Sequence, residues 1–588
     1  MEKNEILSRA KAYIKEEKDS TFRTEVEDLI KKEDYTELED RFYQSLEFGT
    51  GGLRGVIGGG TNRMNTYMIN RATQGLATYI AKANPDKAKN GSLKAVIACD
   101  SRNFSDVFAE ATALIFAANG FKTYLFSSLR PTPELSYAIT KLGCQTGVVV
   151  TASHNPSIYN GYKAYWSDGA QVIPPHDTGI IDEVNAVKDV KTITRVEAIA
   201  TGKLEIIDKI VDEPFWSMCK SQLFRPELIK ATAKGAKVVY TPLHGTGAMH
   251  VEKVLSDLGL SVITVPEQRE PNGNFPTVAK PNPEEAPALK MAVELAKKEK
   301  ADIVMATDPD ADRFGTAVPA KDGSYTLLTG NQMGVLLADY IMLSREELGK
   351  MPKNPAIVRT IVTSSMIDAI AAKKGIYMEE VLTGFKWIAD AIARFNKTGD
   401  HEYIFGLEES YGYLVETEVH DKDGISAAAM CAEMTLYWKS KNKSLLDRLE
   451  ELWTEYGYYE DRAIAKMFPG ESGSKTMGKL MSDLRTTPPK TLGGKTVVEV
   501  RDILNLVSFA PANTDNKKPI NLPSSNVLQF VLDGGTVVSA RPSGTEPKIK
   551  FYINSSVPAS GNLVADKKAG DILCDAITTD INTILDNA

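Results

Sequence analysis

Apolar positions along this chain follow two different rhythms. Up to about residue 45 they recur at helical spacing among dense charges, as in YIKEEKDSTFRTEVEDLIKKEDYTELEDRFYQSL. That pattern predicts charged amphipathic helices packing outside the first domain. Beyond this point short β-branched runs alternate with longer helical stretches, the signature of βα units and mainly parallel sheets.

Three such blocks can be laid over one another. The first has strands at Lys94–Cys99, Lys122–Phe126 and Gly147–Val150, and the second at Lys237–Tyr240, Ser261–Val265 and Asp302–Ala306. The third has Ala356–Val362, Gly375–Met378 and Glu402–Phe405. The first and third strands of a block lie roughly 45 to 65 residues apart in every case. Each third strand runs straight into a polar loop: ThrAlaSerHisAsnPro at 151–156, AspProAspAlaAspArg at 308–313 and GluGluSer at 408–410. Ligand groups gather at the carboxyl ends of strands in α/β sheets, so these loops can converge on one cleft. General similarity among α/β units would also produce part of the pattern.

The tail reads differently. A Pro/Asn/Lys-rich stretch near 510–525 precedes Asn526–Leu532, the turn Asp533-Gly-Gly, Thr536–Ala540, the loop ArgProSerGlyThrGluPro at 541–547 and Lys548–Ile553. Strands joined by such a turn predict an antiparallel sheet in a separate α+β domain. The expectation is therefore an α/β protein of three tandem mixed α/β sandwich domains plus a C-terminal α+β domain. The borders fall at 1–203, 204–322, 323–446 and 447–588.

Composition narrows the function. A chain of 588 residues must divide into several cores. Its 43% hydrophobic and 25% charged content is that of an ordinary soluble globular protein. A net charge of −8 with no basic tract argues against nucleic acid. A phosphate ligand would then need a locally positive pocket. Cys99, Cys144, Cys219, Cys431 and Cys574 are scattered, without CxxC or a Cys/His cluster, which fits a reducing compartment and no zinc site. The charged N-terminus is no signal peptide, and no apolar run approaches the ~20 residues of a membrane span. A cytoplasmic monomer or weak dimer is expected.

Four loops carry candidate chemistry. Ser153 follows a buried strand beside His154, and Pro156 prevents a helix from continuing, so its hydroxyl would stand at the sheet edge. A plain turn would use the same residues. A hydrolase elbow is excluded because Thr151 and Asn155 stand where glycines are needed. Asp308, Asp310 and Asp312 alternate along a segment that Pro309 keeps out of a helix, so three hard oxygens face one spot. That suits Mg²⁺. An EF-hand is excluded by Arg313 and Pro319, whereas an aspartyl phosphatase loop is a competitor. Arg541, Ser543, Gly544 and Thr545 offer a guanidinium fork, two hydroxyls and bare backbone, a set that wraps a phosphate or merely turns a hairpin. Glu408 and Ser410 can bind adjacent sugar hydroxyls or simply face solvent. Gly473–Lys479 approaches a P-loop, but Leu480 replaces the Mg²⁺-binding hydroxyl residue. Gly49-Thr-Gly51-Gly-Leu-Arg54 fails the dinucleotide fingerprint, yet it can face a phosphate.

Together the motifs TASHNP with NGYK following, DPDADR, EES and RPSGTEPK, in that order from about Phe48 onward, resemble the α-D-phosphohexomutase superfamily. The GTGGLRG start and the length look most like the longer phosphoglucomutase branch, which also includes phosphopentomutases and bisphosphate synthases. The resemblance implies four domains around a central cleft and an intramolecular phosphotransferase (EC 5.4.2.-) acting on small sugar phosphates. It implies Ser153 as the phosphoserine with His154 beside it, and one Mg²⁺ held by Ser153, Asp308, Asp310 and Asp312. It further implies Arg54 and Lys163 near the transferred phosphoryl, with Lys163 a candidate for proton transfer. Glu408 and Ser410 would read sugar hydroxyls, Arg313 would contact substrate, and Arg541, Ser543, Gly544 and Thr545 would clamp the idle phosphate. Glucose 1,6-bisphosphate would be the activating intermediate. Gly412 stands where phosphomannomutase-like members have histidine, and Gly384-Phe385-Lys386 replaces the Gly-His of dual-specificity members. Both departures favour glucose, with Gly384, Lys386 and Lys422 as substrate contacts of the phosphoglucomutase kind. Within the same branch, a pentomutase or a bisphosphate synthase would keep the same serine and metal loop. A silent sugar-phosphate-binding regulator is disfavoured because no expected reactive position is lost.

Overall fold

In the computed structural model, residues 2–49, 51–468, 470–543 and 548–587 are described. The chain forms two compact units, Met1–Leu327 with Gly412–Tyr437, and Leu328–Tyr411 with Trp438–Ala588.

In the first unit, β1 (Gly52–Val56), β2 (Lys94–Cys99), β3 (Lys122–Phe126), β4 (Thr146–Val150), β5 (Tyr159–Trp166) and β6 (Leu204–Ile207) form one sheet. Its order is β1-β5-β4-β2-β3-β6. A second sheet holds β7 (Lys237–Thr241), β8 (Ser261–Thr264), β9 (Ile303–Thr307), β10 (Phe314–Pro319) and β11 (Tyr325–Leu327), in the order β11-β10-β9-β7-β8. In each sheet the first strand of the block lies between the second and the third, all parallel. The strands β4 and β9 are buried along their whole length, which is why they read as continuous apolar runs. After each, the chain turns and comes back antiparallel, as β5 and β10. The sheets are therefore mixed. These return strands escaped the sequence reading because glycines and polar residues interrupt their apolar pattern. The strand β6 extends the first sheet past residue 203, and β11 extends the second past residue 322.

The N-terminal helices Lys3–Glu16, Ser20–Lys31 and Tyr35–Phe42 share a small core of Ile6, Ala10, Tyr13, Val26, Leu38 and Phe42. They are not merely external. Phe22 is buried in the main core, its ring 4.9 Å from that of Phe104 and 6.0 Å from that of Phe108. Glu17, also buried, accepts hydrogen bonds from Thr66 Oγ1 and the Tyr67 amide.

In the second unit, β12 (Pro355–Thr360) lies between β13 (Tyr377–Val381) and β14 (Glu402–Glu408), all parallel. The last domain is an antiparallel sheet in the order Tyr458–Met467, Lys548–Val557, Val537–Pro542, Leu528–Leu532, Lys495–Asp502, Val507–Ala510 and Asn513–Pro519. The exposed strand Asn513–Pro519 lies within the Pro/Asn/Lys-rich stretch near 510–525. Gly473 to Lys479, the near-miss P-loop, lies inside the helix Gly470–Thr486. Among the described residues no helix is long and apolar enough to cross a membrane.

A buried polar cluster binds three helices of the first unit: Thr132–Leu142, Lys209–Ser221 and Gly247–Asp257. Arg130 donates to Asp212 at 2.8 and 3.0 Å and to Asp208 at 2.9 Å. Trp216 Nε1 donates to His250 Nδ1 at 2.8 Å, leaving His250 Nε2 to face Glu134 at 3.3 Å. Burial, reinforced by the Arg130 charge, pulls the His250 imidazole down to about 3. The folded protein therefore does not take up the proton that the unfolded chain binds near pH 6.5. Below that pH, this group favours unfolding by up to about 1.4 kcal/mol per pH unit. Acidification from about pH 7 to about pH 5 should lower the denaturant midpoint more in the wild type than in His250→Gln, as unfolding curves at both pH values will measure.

Candidate functional site

The serine loop is built on a strand end and a buried arginine. Val150 closes β4, and the Thr151 amide donates to Gly161 O at 3.0 Å, tying the loop to β5. Ser153 then takes a left-handed φ of +53°, which costs a non-glycine residue on the order of 1 kcal/mol. It is held there from several sides. Its amide donates to Thr151 Oγ1 at 2.8 Å, and Thr151 donates in turn to Asp100 Oδ2 at 2.6 Å. Arg102 donates to the carbonyls of Ser153 at 2.6 Å, Pro156 at 2.9 Å, Tyr159 at 2.8 Å and Asn155. Sequence reasoning passed over Asp100 and Arg102. Their signal was positional, a polar Asp-Ser-Arg directly after the buried strand β2.

The metal loop follows the same plan. It leaves β9 at Thr307, turns at Ala311 with φ +50°, and enters β10 at Phe314. One oxygen from each of Asp308, Asp310 and Asp312 lies within 4.8 Å of the others, and all three residues are buried. Asp308 Oδ2 accepts from Ser153 Oγ at 2.5 Å, and its Oδ1 accepts from the Arg313 amide at 3.1 Å. Asp310 Oδ2 accepts from Lys163 Nζ at 2.7 Å and Thr132 Oγ1 at 2.8 Å. Asp312 Oδ2 pairs with Lys163 at 3.1 Å and with Lys422 at 3.2 Å. The Oδ1 atoms of Asp310 and Asp312 are buried with no hydrogen-bond partner. Buried acceptors left open beside one another fit a hard divalent cation, for which this donor set is suited.

Electrostatics follow from the burial. Desolvation, with Asp310 and Asp312 adding to it, pushes the Asp308 carboxyl far above the usual range. Burial acts on Asp310 in the same direction, but the Lys163 ammonium and the Thr132 hydroxyl outweigh it and hold this carboxyl well below. Burial also pulls on Lys163, but Asp310 and Asp312 prevail and raise it to about 12. The two aspartates it touches thus hold Lys163 as the ammonium. His154 Nδ1 stands 3.2 Å from Ser153 Oγ.

Lys163 is placed by strand pairing. On the antiparallel β1–β5 ladder Gly52 pairs with Lys163 and Arg54 with Gly161, which puts Arg54 and Lys163 on one face. Gly52 adopts φ +137°, and a Cβ there would sit 1.7 Å from Tyr162 O. Only glycine lets the GTGGLRG segment run so close to β5.

Lys422, third-block by sequence, stands at the metal loop in space, within the segment 412–437 of the first unit. The Gly424 amide donates to Ala311 O at 3.2 Å, and Lys422 Nζ lies 3.1 Å from Asp421 Oδ1. Asp421 Oδ2 accepts from Tyr165 at 2.7 Å and Gln171 at 3.0 Å. Arg313 is engaged by Glu284 at 2.7 Å. The remaining candidates belong to the second unit. Glu408 closes β14 and accepts from Ser410 Oγ at 3.0 Å. Gly384, with φ +110°, precedes the helix Phe385–Thr398, in which the Lys386 ammonium lies 5.4 Å from the Trp387 ring centre. Arg541 is the penultimate residue of the strand Val537–Pro542, and the Ser543 amide donates to Lys548 O at 2.8 Å. Gly544 and Thr545 lie outside the described residues.

Binding of Mg²⁺ to the folded state alone would add about 2.7 kcal/mol at a hundredfold excess over Kd. Thermal melts with and without Mg²⁺ should show a higher Tm in the wild type. Asp312→Asn, which weakens the donor set, should abolish most of that rise.

Comparison with known proteins places the chain in a family. Family profiles described as phosphoglucomutase/phosphomannomutase alpha/beta/alpha domains I, II and III match residues 45–191, 214–321 and 329–456. A probable phosphoribomutase of Schizosaccharomyces pombe is 37% identical, the match covering 92% of each chain. A Homo sapiens phosphopentomutase is 33% identical, over 93% of this chain and 90% of its own. A phosphoglucomutase of Staphylococcus saprophyticus is 32% identical, over 90% and 94%. Among solved structures, a putative phosphomannomutase from Thermus thermophilus shares the fold with a TM-score of 0.66 at 20% identity, over 92% of this chain and 99% of the other. The chain therefore belongs to the phosphoglucomutase/phosphomannomutase family, the α-D-phosphohexomutases, and is a sugar-phosphate mutase (EC 5.4.2.-).

Proposed function

We propose that this protein is a phosphoglucomutase, interconverting α-D-glucose 1-phosphate and glucose 6-phosphate through a phosphoserine at Ser153 and a glucose 1,6-bisphosphate intermediate. The observation that carries this reading is the 2.5 Å contact of the buried Ser153 hydroxyl with Asp308, beside Lys163 and two open carboxylate oxygens. A hydroxyl so placed is aimed at a centre built for concentrated charge, which is what phosphoryl transfer needs.

In the proposed cycle the phosphoserine gives its phosphoryl to the free hydroxyl of a hexose monophosphate. The bisphosphate then turns over and returns its other phosphoryl to Ser153 Oγ. Mg²⁺ held by Asp308, Asp310, Asp312 and the phosphoserine would neutralise the phosphoryl oxygens. Lys163 adds positive charge and can relay the proton, giving one to Oγ as the Oγ–P bond breaks and regaining one from the attacking sugar hydroxyl, a relay that the return step reverses; His154 and Arg54 flank the same group. Lys422 adds a second ammonium on Asp312, and Arg313 meets the substrate when it leaves Glu284. Glu408 and Ser410 read the sugar hydroxyls in both orientations, with Gly384 and Lys386 beside them. Arg541, Ser543, Gly544 and Thr545 hold whichever phosphate is idle. The five buried, unpaired cysteines support a reducing, cytoplasmic setting.

A second reading, phosphopentomutase activity, is favoured by one observation: relatives 37% and 35% identical to this chain are named phosphoribomutases. Phosphorus NMR with Mg²⁺ and a trace of glucose 1,6-bisphosphate separates the two. Glucose 1-phosphate should convert to its 6-phosphate faster than ribose 1-phosphate converts to its 5-phosphate, and the reverse order would establish the pentose reading. Ser153→Ala should lower either turnover by at least about 10⁴-fold; substantial residual activity would remove Ser153 from the mechanism.

A further inference from the structure

Ser153 and the aspartate cluster lie on different domains of the first unit, yet their atoms meet within hydrogen-bond distance. Something other than that one contact must hold the two loops in register. Lys163 and Thr132 reach the aspartates from the first domain, and Arg102 is the side chain that grips the serine loop itself while touching the metal-carrying domain. It is 3% exposed, and its fork donates to four carbonyls spread over the serine loop, from Ser153 to Tyr159. Its Nε faces Asp100 at 3.4 Å. Its outer face is covered by the metal-carrying domain, where the ring of Phe275, itself 2% exposed, lies 5.1 Å from the guanidinium carbon.

The contact does not stop at the ring. Asn103 Nδ2 donates to Asn274 Oδ1 at 2.9 Å, and Gly273 comes so close that a Cβ would lie 2.5 Å from the Asn103 amide. The Phe275 amide donates to Asn272 O, and the Asn272 amide to His244 O, at 3.1 and 3.0 Å. Two residues on, the Thr246 amide and hydroxyl both donate to Pro309 O in the metal loop, at 2.8 and 3.0 Å. An unbroken path of packed and hydrogen-bonded groups thus runs from the serine loop through Arg102 and Phe275 to the metal loop.

We propose that Arg102, seated on Phe275, is a positioning residue that sets where the Ser153 hydroxyl stands relative to the aspartate cluster. The inference rests on Ser153 being the phosphoryl carrier. Lysine would keep the charge but lose the fork that spans four carbonyls. Leucine at 275 would keep those hydrogen bonds but lose the aromatic seat.

The test measures phosphorylation of Ser153 by glucose 1,6-bisphosphate, using quenched-flow and intact-protein mass spectrometry. It adds kcat and KM for the mutase, and calorimetric Mg²⁺ affinity of the dephosphorylated enzyme. Arg102→Lys should slow both phosphorylation and kcat roughly 100-fold, with KM within about threefold and Mg²⁺ affinity within about twofold. Phe275→Leu should slow them about fivefold, and the double variant should be little slower than Arg102→Lys alone, since both act through one joint. Phosphorylation of Arg102→Lys at the wild-type rate would overturn the inference, as would a parallel collapse of Mg²⁺ affinity, which marks general loosening. If Arg102→Lys does not fold, Phe275→Leu decides, and a wild-type rate there overturns the inference. If the wild type itself turns sugar phosphates over without ever carrying phosphate on Ser153, the phosphoserine reading fails, and this inference falls with it.

Discussion

Three carboxylates gathered in a buried space are the constraint to which the rest of the first unit answers. Asp308, Asp310 and Asp312 are at most 1% exposed, and anions this close and this dry are tolerated only when cations and donors meet them. The donors come from far apart in the chain: Thr132 at a helix start, Ser153 in a loop, Lys163 on a return strand and Lys422 in a late segment. Even so, two oxygens are left open. The fold can be seen as the means of bringing these donors to one point while leaving two carboxylate oxygens open.

The three α/β domains solve a shared problem in a shared way. After each third strand the chain reverses through a non-glycine residue of left-handed backbone, Ser153, Ala311 or Tyr411. Each such loop is held by a group at or just beyond the end of the first strand, its neighbour in the sheet. In the first domain that group is Arg102, in the second Thr246 on Pro309 O, and in the third Thr360, which donates to Glu409 at 3.2 Å. The blocks share a topology while their loops differ in chemistry: one presents a buried serine hydroxyl, one three clustered aspartates, one a pair of carboxylates. The strand-end position supplies rigidity, and the loop supplies function.

That separation bears on substrate choice. In the proposed cycle the serine, the aspartates and Lys163 would act on a phosphoryl group whatever sugar carries it, and relatives of about equal similarity are named for glucose and for pentose. On that proposal, specificity would come from the groups assigned to the sugar, Glu408, Ser410 and the 384–386 turn.

Much of the architecture was legible in the sequence. The apolar runs at 94–99 and 146–150 and their counterparts are central strands whose burial on both faces demands nearly continuous apolar residues, and local pattern reports that directly; the second strands, such as 122–126, are only partly buried and read from their β-branched and aromatic residues. The reactive loops were legible for a related reason, since a Pro-interrupted cluster of polar residues after such a strand has few structural uses. Other features left little local trace. The return strand carrying Lys163 looked like a polar, glycine-broken stretch, Phe22 like one more apolar residue on a charged helix, and Lys422 like part of the third block. Arg102 is a single charge in a loop until four carbonyls surround it. The period of a strand or helix is set by which neighbours in sequence must be buried together, so it can be read along the chain. The partners of a buried charge are set by which distant segments pack against it, and tertiary structure alone decided those.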